Sequence, residues 1–411
     1  MVDRYDVVIA GAGPAGAQCA RDLATRGYDV VVLETEPEDE FPRQSNKSTA
    51  GTFPSMMSSF GIPDDVVMSY TDDVVLESPN SHYKSYQPGA VLEFAEFKRF
   101  LVADGRENGA EYRFDSRVSR PILDEDGVIE GVRYNGDEEV YAEVVVDATG
   151  PAAPIASALD VVDLERENQA IGIEYEMEGV EMNHPEYADL RRAMMLRLDH
   201  DIAPGGYSWI FATGGDTAKV GICYIQNDRH REFAQEGQTV DGYLDAWVDR
   251  DPRFADAEVI DGKVHRGSAH IQMPDEMHTD RFLAIGDTVP SIDPLWGEGI
   301  HKGMKSARAA AATVDRCLTD SKRRLDAESL AVYERLWHRD VAPRMKSRLM
   351  LTRLLYLAPN ERYDRFMRDL RKTEENTLEK ANQGEKGAMA KLLHLDDIPL
   401  LAKFAREQLG S

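Results

Sequence analysis

Apolar positions fall into three regimes along the chain. Residues 5–10 (Tyr-Asp-Val-Val-Ile-Ala) make a short, nearly unbroken apolar run, as in a strand covered on both faces of a parallel sheet. Cys19, Ala20, Leu23 and Ala24 then lay a small apolar stripe on a helix that Gly27 can close. Asp29-Val-Val-Val-Leu33 is a second strand ending at Glu34, so the start reads as a βαβ unit. The regime returns at Val144-Val-Val146 and at Arg281-Phe-Leu-Ala-Ile-Gly-Asp287. There it precedes a helix carrying Ile300, Met304, Ala307, Ala311 and Val314 at spacings of 4, 3, 4 and 3.

A second regime lies between these runs. Residues 170–177, 194–198, 207–211, 218–225 and 258–264 read as antiparallel strands, and residues 240–248 as a helix through Tyr243, Leu244 and Trp247. Beyond residue 331 the chain is helical and charged. Residues 335–372 hold 11 Lys/Arg against 4 Asp/Glu, a local +7 (11 − 4). Arg344, Lys346, Arg348 and Arg353 flank Leu349-Met-Leu351 and Leu354-Leu-Tyr-Leu357, and two readings stand side by side. One is a helix resting on an anionic membrane at an entrance for lipid tails. The other is a helix packed by its leucines, with arginines answering an acidic body.

Composition narrows the class. At 411 residues the chain is too long for one ordinary core and suits two or three lobes. With 42% hydrophobic and 30% charged residues it can bury a core, and wholesale disorder is excluded. Its 48 basic and 74 acidic side chains give a formal charge of −26, which excludes general nucleic-acid binding. Acidic pairs such as Asp64-Asp65, Asp72-Asp73 and Asp396-Asp397 are scattered over the whole chain. Such a surface is tolerated when salt screens it, as in the salty cytoplasm of halophilic archaea. No run of about 18 apolar residues offers a spanning helix. Met1-Val-Asp-Arg leads straight into the first strand, so no signal peptide and a cytoplasmic location are expected. Cys19, Cys223 and Cys317 read as buried reduced thiols. The ten histidines show no ligand spacing, and no metal site is expected.

The first strand runs directly into Gly11-Ala-Gly-Pro-Ala-Gly16. Gly11 permits a tight turn, Gly13 lets backbone approach a pyrophosphate, and Gly16 lets helix and strand pack closely. The helix N-terminus then offers free N–H groups to phosphate. Glu34, 18 residues after Gly16, can accept from the hydroxyls of an adenosine ribose. NAD and FAD share this device, and the deciding feature comes some 270 residues later. Gly286-Asp287, then Asp293-Pro-Leu-Trp-Gly-Glu-Gly-Ile300, suits a flavin. Asp287 can accept from a ribityl hydroxyl, and Gly297 and Gly299 remove side chains where a ring edge meets backbone. The positive end of the following helix is expected to face the flavin N1/O2 edge. Asp147-Ala-Thr-Gly150 supplies a third matching piece.

Together these pieces resemble the FAD-dependent oxidoreductases of the p-hydroxybenzoate hydroxylase class, and within it the geranylgeranyl reductase family. The resemblance covers roughly residues 1–330. It implies an α/β fold with a Rossmann-like FAD-binding domain over 1–168 and 276–330. An antiparallel-sheet substrate domain is inserted over 169–275, and C-terminal helices fill 331–411. It also implies cofactor contacts at Gly11, Gly13, Ala15, Gly16, Glu34, Val118, Gly286, Asp287, Pro294, Gly297, Glu298, Gly299 and Ile300. Pro204-Gly-Gly-Tyr207-Ser-Trp209-Ile-Phe211 is similar to the family signature, lacking only a final proline, where Ala212 stands. Tyr207, Trp209 and Phe211 alternate and so share one strand face. Spacing alone fits an aromatic stripe filling the core; the resemblance implies a slot for an isoprenoid chain, with Tyr207 as proton donor and Trp209 as wall.

Two departures bear on the site. Many archaeal members have a Cys-Gly pair where this chain has Asn46-Lys47-Ser48-Thr49-Ala50-Gly51, so no thiol role transfers and Lys47 and Thr49 become flavin-edge candidates. The class arginine that opens a helix near residue 95 is replaced by Phe94. The resemblance thus implies FAD-dependent saturation of carbon–carbon double bonds in a polyprenyl chain of archaeal membrane lipids. A separate donor, ferredoxin or NAD(P)H, reduces the flavin, and peripheral contact with the inner face of the cell membrane goes with the lipid substrate. The rival readings are a flavin monooxygenase or halogenase-like enzyme acting on an aromatic compound, and a quinone-linked flavoprotein dehydrogenase. Three scattered cysteines cannot supply the four thiolates an iron–sulfur cluster usually needs, which counts against the last.

Overall fold

The computed structural model describes residues 3–42, 48–373, 380, 387, 391–392 and 394–410. The chain opens with β1 (Arg4–Ala10), α1 (Pro14–Ala24), β2 (Val30–Leu33), β3 (Gly51–Thr52), α2 (Pro54–Phe60), β4 (Val67–Ser78), β5 (Ser81–Leu92) and α3 (Phe94–Glu107). Next come β6 (Glu111–Arg113), β7 (Val118–Leu123), β8 (Ile129–Tyr134), β9 (Glu138–Asp147) and α4 (Pro154–Ala158). The middle is β10 (Gln169–Glu178), β11 (Ala193–Arg197), β12 (Gly206–Gly214), β13 (Thr217–Ile225), α5 (Asp228–Phe233), α6 (Val240–Arg250) and β14 (Glu258–His270). It closes with β15 (His278–Thr279), β16 (Phe282–Ala284), α7 (Ile300–Thr319), α8 (Ala327–Leu330), α9 (Val332–Leu336), α10 (Met345–Leu357), α11 (Asn360–Leu370) and a last helix, Ile398–Gly410.

These elements form two compact units. The first is Met1–Asn46, Phe94–Glu165 and Ala269–Met345; the second is Lys47–Glu93, Arg166–Ser268 and Lys346–Ser411. Strands from residues 51–92, which the sequence reading left within the first lobe, join the second sheet instead. The long hairpin β4–β5 carries them there by pairing β4 with β11.

In the first unit the parallel strands run in the order β16-β9-β1-β2-β6, with β15 antiparallel at one edge and β8 and β7 extending from β9. Val7, Val8, Ile9 and the valines of β2 are sealed from solvent, as strands covered on both faces must be. Pro14 opens α1 at its first turn, and Gly27 follows it at φ 86°. Met304, Ala307, Ala311 and Val314, the stripe read from the sequence, are fully buried on α7. Val118 is buried at the start of β7, paired with Tyr134.

The second unit's sheet runs β14-β10-β13-β12-β11-β4-β5-β3, and of its paired strands β11 and β4 are parallel. One face meets α6, where Tyr243, Leu244 and Trp247 pack with Ile173, Met195, Ile210, Val220 and Ile222. A buried ion network closes one end: Arg253 meets both oxygens of Glu77 (3.0 and 3.1 Å) and of Asp251 (2.7 and 3.0 Å). Arg197 adds bonds to Glu77 (2.6 Å) and Asp199 (2.9 Å). Leu349, Leu357, Tyr363 and Met367 bury α10 and α11, while Arg362 pairs with Asp397 at 2.6 Å and Arg365 with Asp396 at 3.0 Å. Part of the basic stretch therefore answers the chain's own acids; Lys346 and Met350 on α10 stay exposed. Among the described residues no helix is long and apolar enough to cross a membrane.

Candidate functional site

The glycine turn after β1 is built by exclusion. A Cβ on Gly11 (φ 97°) would lie 2.6 Å from Ala148 O, and one on Gly16 would lie 2.0 Å from Gly11 O. Both glycines are demanded by packing between the turn, α1 and the end of β9. Gly13 differs, because a Cβ there would meet no protein atom within 4 Å. Its backbone is left bare, as a pyrophosphate at this helix end would require. Gly13 is the N-cap, with no side-chain cap and no acid in the first turn, so no side chain of that turn competes for the helix end.

Glu34 ends the second strand in buried surroundings. Its Oε2 accepts from Ala12 N (2.8 Å) and its Oε1 from Glu36 N (3.1 Å). A carboxylate has about four acceptor sites, so two remain for ribose hydroxyls. Glu36, which the sequence reading passed over, buries its Oε2 with no hydrogen-bond partner among the described residues. Its signal was a second acid two residues after the strand end.

The distant flavin motif packs on this same cradle. Gly286 (φ 61°) would put a Cβ 2.7 Å from the Cβ of Ala15, and Gly303 on α7 would reach it at 3.6 Å. Gly286 N donates to Ser306 Oγ (2.9 Å), and Gly150 N donates to Thr288 Oγ1 (3.0 Å). The beginning and the late segment of the unit thus converge at Ala15. Beside them, desolvation pushes the Asp287 carboxyl up to about 6, and no cation or donor among the described residues offsets that cost. A ribityl hydroxyl would be such a donor. Gly299 sits where a Cβ would come 3.7 Å from Asp287 Oδ1. The turn through Pro294 and Gly297 (φ 65°) is held by Asp293, whose Oδ1 accepts from Leu295 N (3.0 Å) and Trp296 N (3.2 Å). Ile300 begins α7, half-buried. These donors, acceptors and bare backbone positions fit FAD.

The Asp147-Ala-Thr-Gly150 piece is held from within: Asp147 Oδ1 accepts from Thr149 N and Oγ1 (3.0 and 2.6 Å), and its Oδ2 from Ile155 N and Ala156 N (3.1 and 3.0 Å). It is a fully bonded clamp between β9 and α4. In the first turn of α7, Glu298 Oε1 accepts from His301 N at 2.7 Å. Desolvation pushes the Glu298 carboxyl up to about 7, and it pushes the His301 imidazole down to about 4, with Lys305 and Lys302 adding to the effect.

Thr49 and the aromatic row lie in the second unit; Lys47 lies outside the described residues. The Thr49 carbonyl accepts from the buried Lys219 Nζ at 3.2 Å. Tyr207, Trp209 and Phe211 alternate with Ser208, Ile210 and Ala212 along β12, and Ile210 and Ala212 belong to the α6-facing core. The aromatic row therefore occupies the opposite face. Phe211 packs so close to Gly51 that a Cβ there would lie 2.5 Å from its ring. Tyr207 and Trp209 stand 5.8 Å apart at 52°. Across the strands Tyr207 pairs with Cys223 and hydrogen-bonds its half-buried thiol, which desolvation pushes up to about 12. Trp209 Nε1 donates to Glu174 Oε2 at 2.9 Å. Glu174 was missed in the sequence, where two acids alternating through an otherwise apolar strand were the signal. Nearby, His200 Nδ1 accepts from Gly205 N (3.1 Å) and Nε2 donates to Ala358 O (2.9 Å), tying the Pro204-Gly-Gly turn to the α10–α11 connection.

Among the described residues no cluster of His, Cys, Asp and Glu could hold a metal ion. A family profile described as an FAD binding domain matches residues 4–329. The chain is 65% identical over 407 residues, 99% of both chains, to a digeranylgeranylglycerophospholipid reductase of Haloferax volcanii. It is 27% identical to a second such reductase from Methanopyrus kandleri, over 87% of this chain and 88% of that one. Among solved structures, a geranylgeranyl bacteriochlorophyll reductase-like protein from Thermoplasma acidophilum superposes with a TM-score of 0.83 at 19% identity, covering 99% of this chain and 100% of that one. A flavin-dependent brominase shares the fold at a TM-score of 0.70 and 21% identity, over 90% and 92% of the two chains.

Proposed function

The chain belongs to the FAD-binding-domain family and, within it, to the digeranylgeranylglycerophospholipid reductases, and on that premise we propose that it saturates the geranylgeranyl chains of archaeal glycerophospholipids. The observation that carries this reading is the 65% identity to a named reductase over 99% of both chains. An FAD-shaped cradle in the first unit supports it. FAD, once bound and reduced by a separate donor, supplies the hydride for one alkene carbon.

The chain's own residues do the rest. Gly11 and Gly16 shape the turn, Gly13 exposes backbone to the pyrophosphate, and Glu34 accepts from the ribose. Asp287, Gly297 and Gly299 hold the flavin end, with Pro294 and Ile300 bounding that turn; Thr49 remains a flavin-edge candidate. An unactivated alkene has no carbonyl to polarise, so alignment in a water-poor slot must carry much of the rate. The aromatic face of β12 is that slot. Tyr207 gives a proton to the second alkene carbon, and Trp209 and Phe211 hold the chain flat. Electrons arrive from ferredoxin or NAD(P)H, and exposed Met350 and Lys346 meet the bilayer that carries the substrate.

The test uses purified protein with FAD, a chemical reductant and digeranylgeranylglycerophospholipid in molar KCl. Each saturated bond adds about 2 Da. Reduced flavin that no polyprenyl lipid reoxidises would overturn the reading, as would substrate-stimulated oxygen uptake on an aromatic compound. Anaerobic bleaching of the flavin by reduced ferredoxin or by NAD(P)H separates the two donors. Co-sedimentation with lipid vesicles, lost on Met350→Asp, checks the bilayer contact.

A further inference from the structure

The sheet face bearing the aromatic row is a regular lattice. Glu174 on β10, Gly221 on β13 and Trp209 on β12 lie abreast, flanked by the rows Gly172–Cys223–Tyr207 and Glu176–Lys219–Phe211. Gly221 lets the indole cross its own strand: a Cβ there would lie 2.3 Å from Trp209 Cζ2 and 2.6 Å from Cε2. The ring thus spans β13 and delivers its Nε1 proton to Glu174 Oε2 at 2.9 Å.

The two carboxylates of this face are treated differently. Glu176 is answered by His265 Nε2 (2.7 Å) and by Lys263 Nζ (3.6 Å). Glu174 is 4% exposed, its Oε1 has no hydrogen-bond partner among the described residues, and the donor to Oε2 is a neutral indole. Among the described residues no cation pairs directly with Glu174; burying a carboxylate in that way is costly, and folding alone does not call for it. What a carboxylate offers over other acceptors is a stronger, more directional bond to the indole N–H.

Building on the polyprenyl reading, we propose that Glu174 is a positioning residue that pins the Trp209 indole across Gly221, fixing the wall along which the isoprenoid chain lies and thereby which double bonds are saturated. The consequence is specific. A freed indole would let the chain settle in several registers, lowering turnover and spreading the products over partly saturated species. Misplacement by about 1 Å is enough to cost on the order of 100-fold.

The experiment reads both the indole and the products. In indole-15N-labelled holoenzyme with four tryptophans, Trp209→Phe identifies the Trp209 Nε1–H resonance. Glu174→Ala is expected to shift that resonance alone, to lower kcat about 10- to 100-fold with FAD content unchanged, and to broaden the product masses. Glu174→Gln, whose amide oxygen still accepts, restores most of the resonance position and the product pattern. Gly221→Ala, which forces the indole aside without touching the acid, reproduces the Glu174→Ala products and decides the matter if Glu174→Ala fails to fold. An unmoved resonance in Glu174→Ala overturns the proposal. So does an unchanged product pattern beside a moved resonance, or loss of the pattern in Glu174→Gln with the resonance intact. Wild-type protein that saturates no polyprenyl lipid refutes the functional reading instead, and only the indole result then bears on the hydrogen bond.

Discussion

Replacing Glu34 by Gln changes one atom and separates two energies. In the folded chain both carboxylate oxygens already accept backbone N–H groups, from Ala12 and Glu36. An amide has one acceptor oxygen, so its NH2 must face one of those donors. A buried N–H left unpaired costs about 1–3 kcal/mol. That loss is present with or without cofactor and appears as lowered stability of the apoprotein. The ribose contribution is separate: an acceptor that was charged becomes neutral, and one of two available bonds is lost. Hydrogen bonds to charged groups contribute about 1.5–3 kcal/mol, so a loss of about 2 kcal/mol, or ~30-fold in Kd for FAD, is expected. Quenching of flavin fluorescence on titrating apoprotein measures it, at fixed KCl because the acidic surface needs screening. A Kd within threefold of wild type, in a variant that keeps its fold, would refute the assignment of Glu34 to the ribose.

Arg253→Ala should lower unfolding stability by about 3–5 kcal/mol, because it leaves Asp251 buried without its cation and Glu77 with Arg197 alone; denaturant melts at constant KCl check this. Gly286→Ala should loosen FAD retention and lower Tm together, since the position needs φ 61° and a side chain there would strike Ala15. Burial pushes His200 below its ordinary value, so the unfolded chain takes up that proton first and stability falls as pH drops below about 6.5. The opposing charges that face it, Asp199, Asp201 and Glu232, soften the slope without reversing it. His200→Asn should flatten part of the decline in Tm between pH 7 and pH 5, and an unchanged slope would discount the His200 contribution.

The first unit was legible because its signals are local. A buried strand, a glycine turn and a terminal acid sit within about thirty residues; Gly11 and Gly16 are required by sterics, and Glu34 is held by two backbone N–H groups. The late motif was legible for the same reason, down to the α7 stripe. What sequence could not give was pairing over distance. The β4–β5 hairpin joins the second sheet through a parallel register with β11, which no periodicity encodes. Competition for one donor was equally invisible. Glu298 takes the His301 N–H of the first turn of α7, and Asp147 spends all four of its hydrogen bonds inside the chain. The side taken by the aromatic row was ambiguous from alternation, which fixes a shared face without saying which one. Ile210 and Ala212 in the core settle it.

The alternation of the backbone between the two bodies has a consequence for biosynthesis. Six successive stretches, taken in turn by one body and the other, mean that neither can be completed until its last contribution, 269–345 or 346–411, has left the ribosome. A truncated gene product would lack the final strand-turn-helix of one body and the closing helices of the other. Each sheet therefore lacks its last covering elements until synthesis is nearly finished.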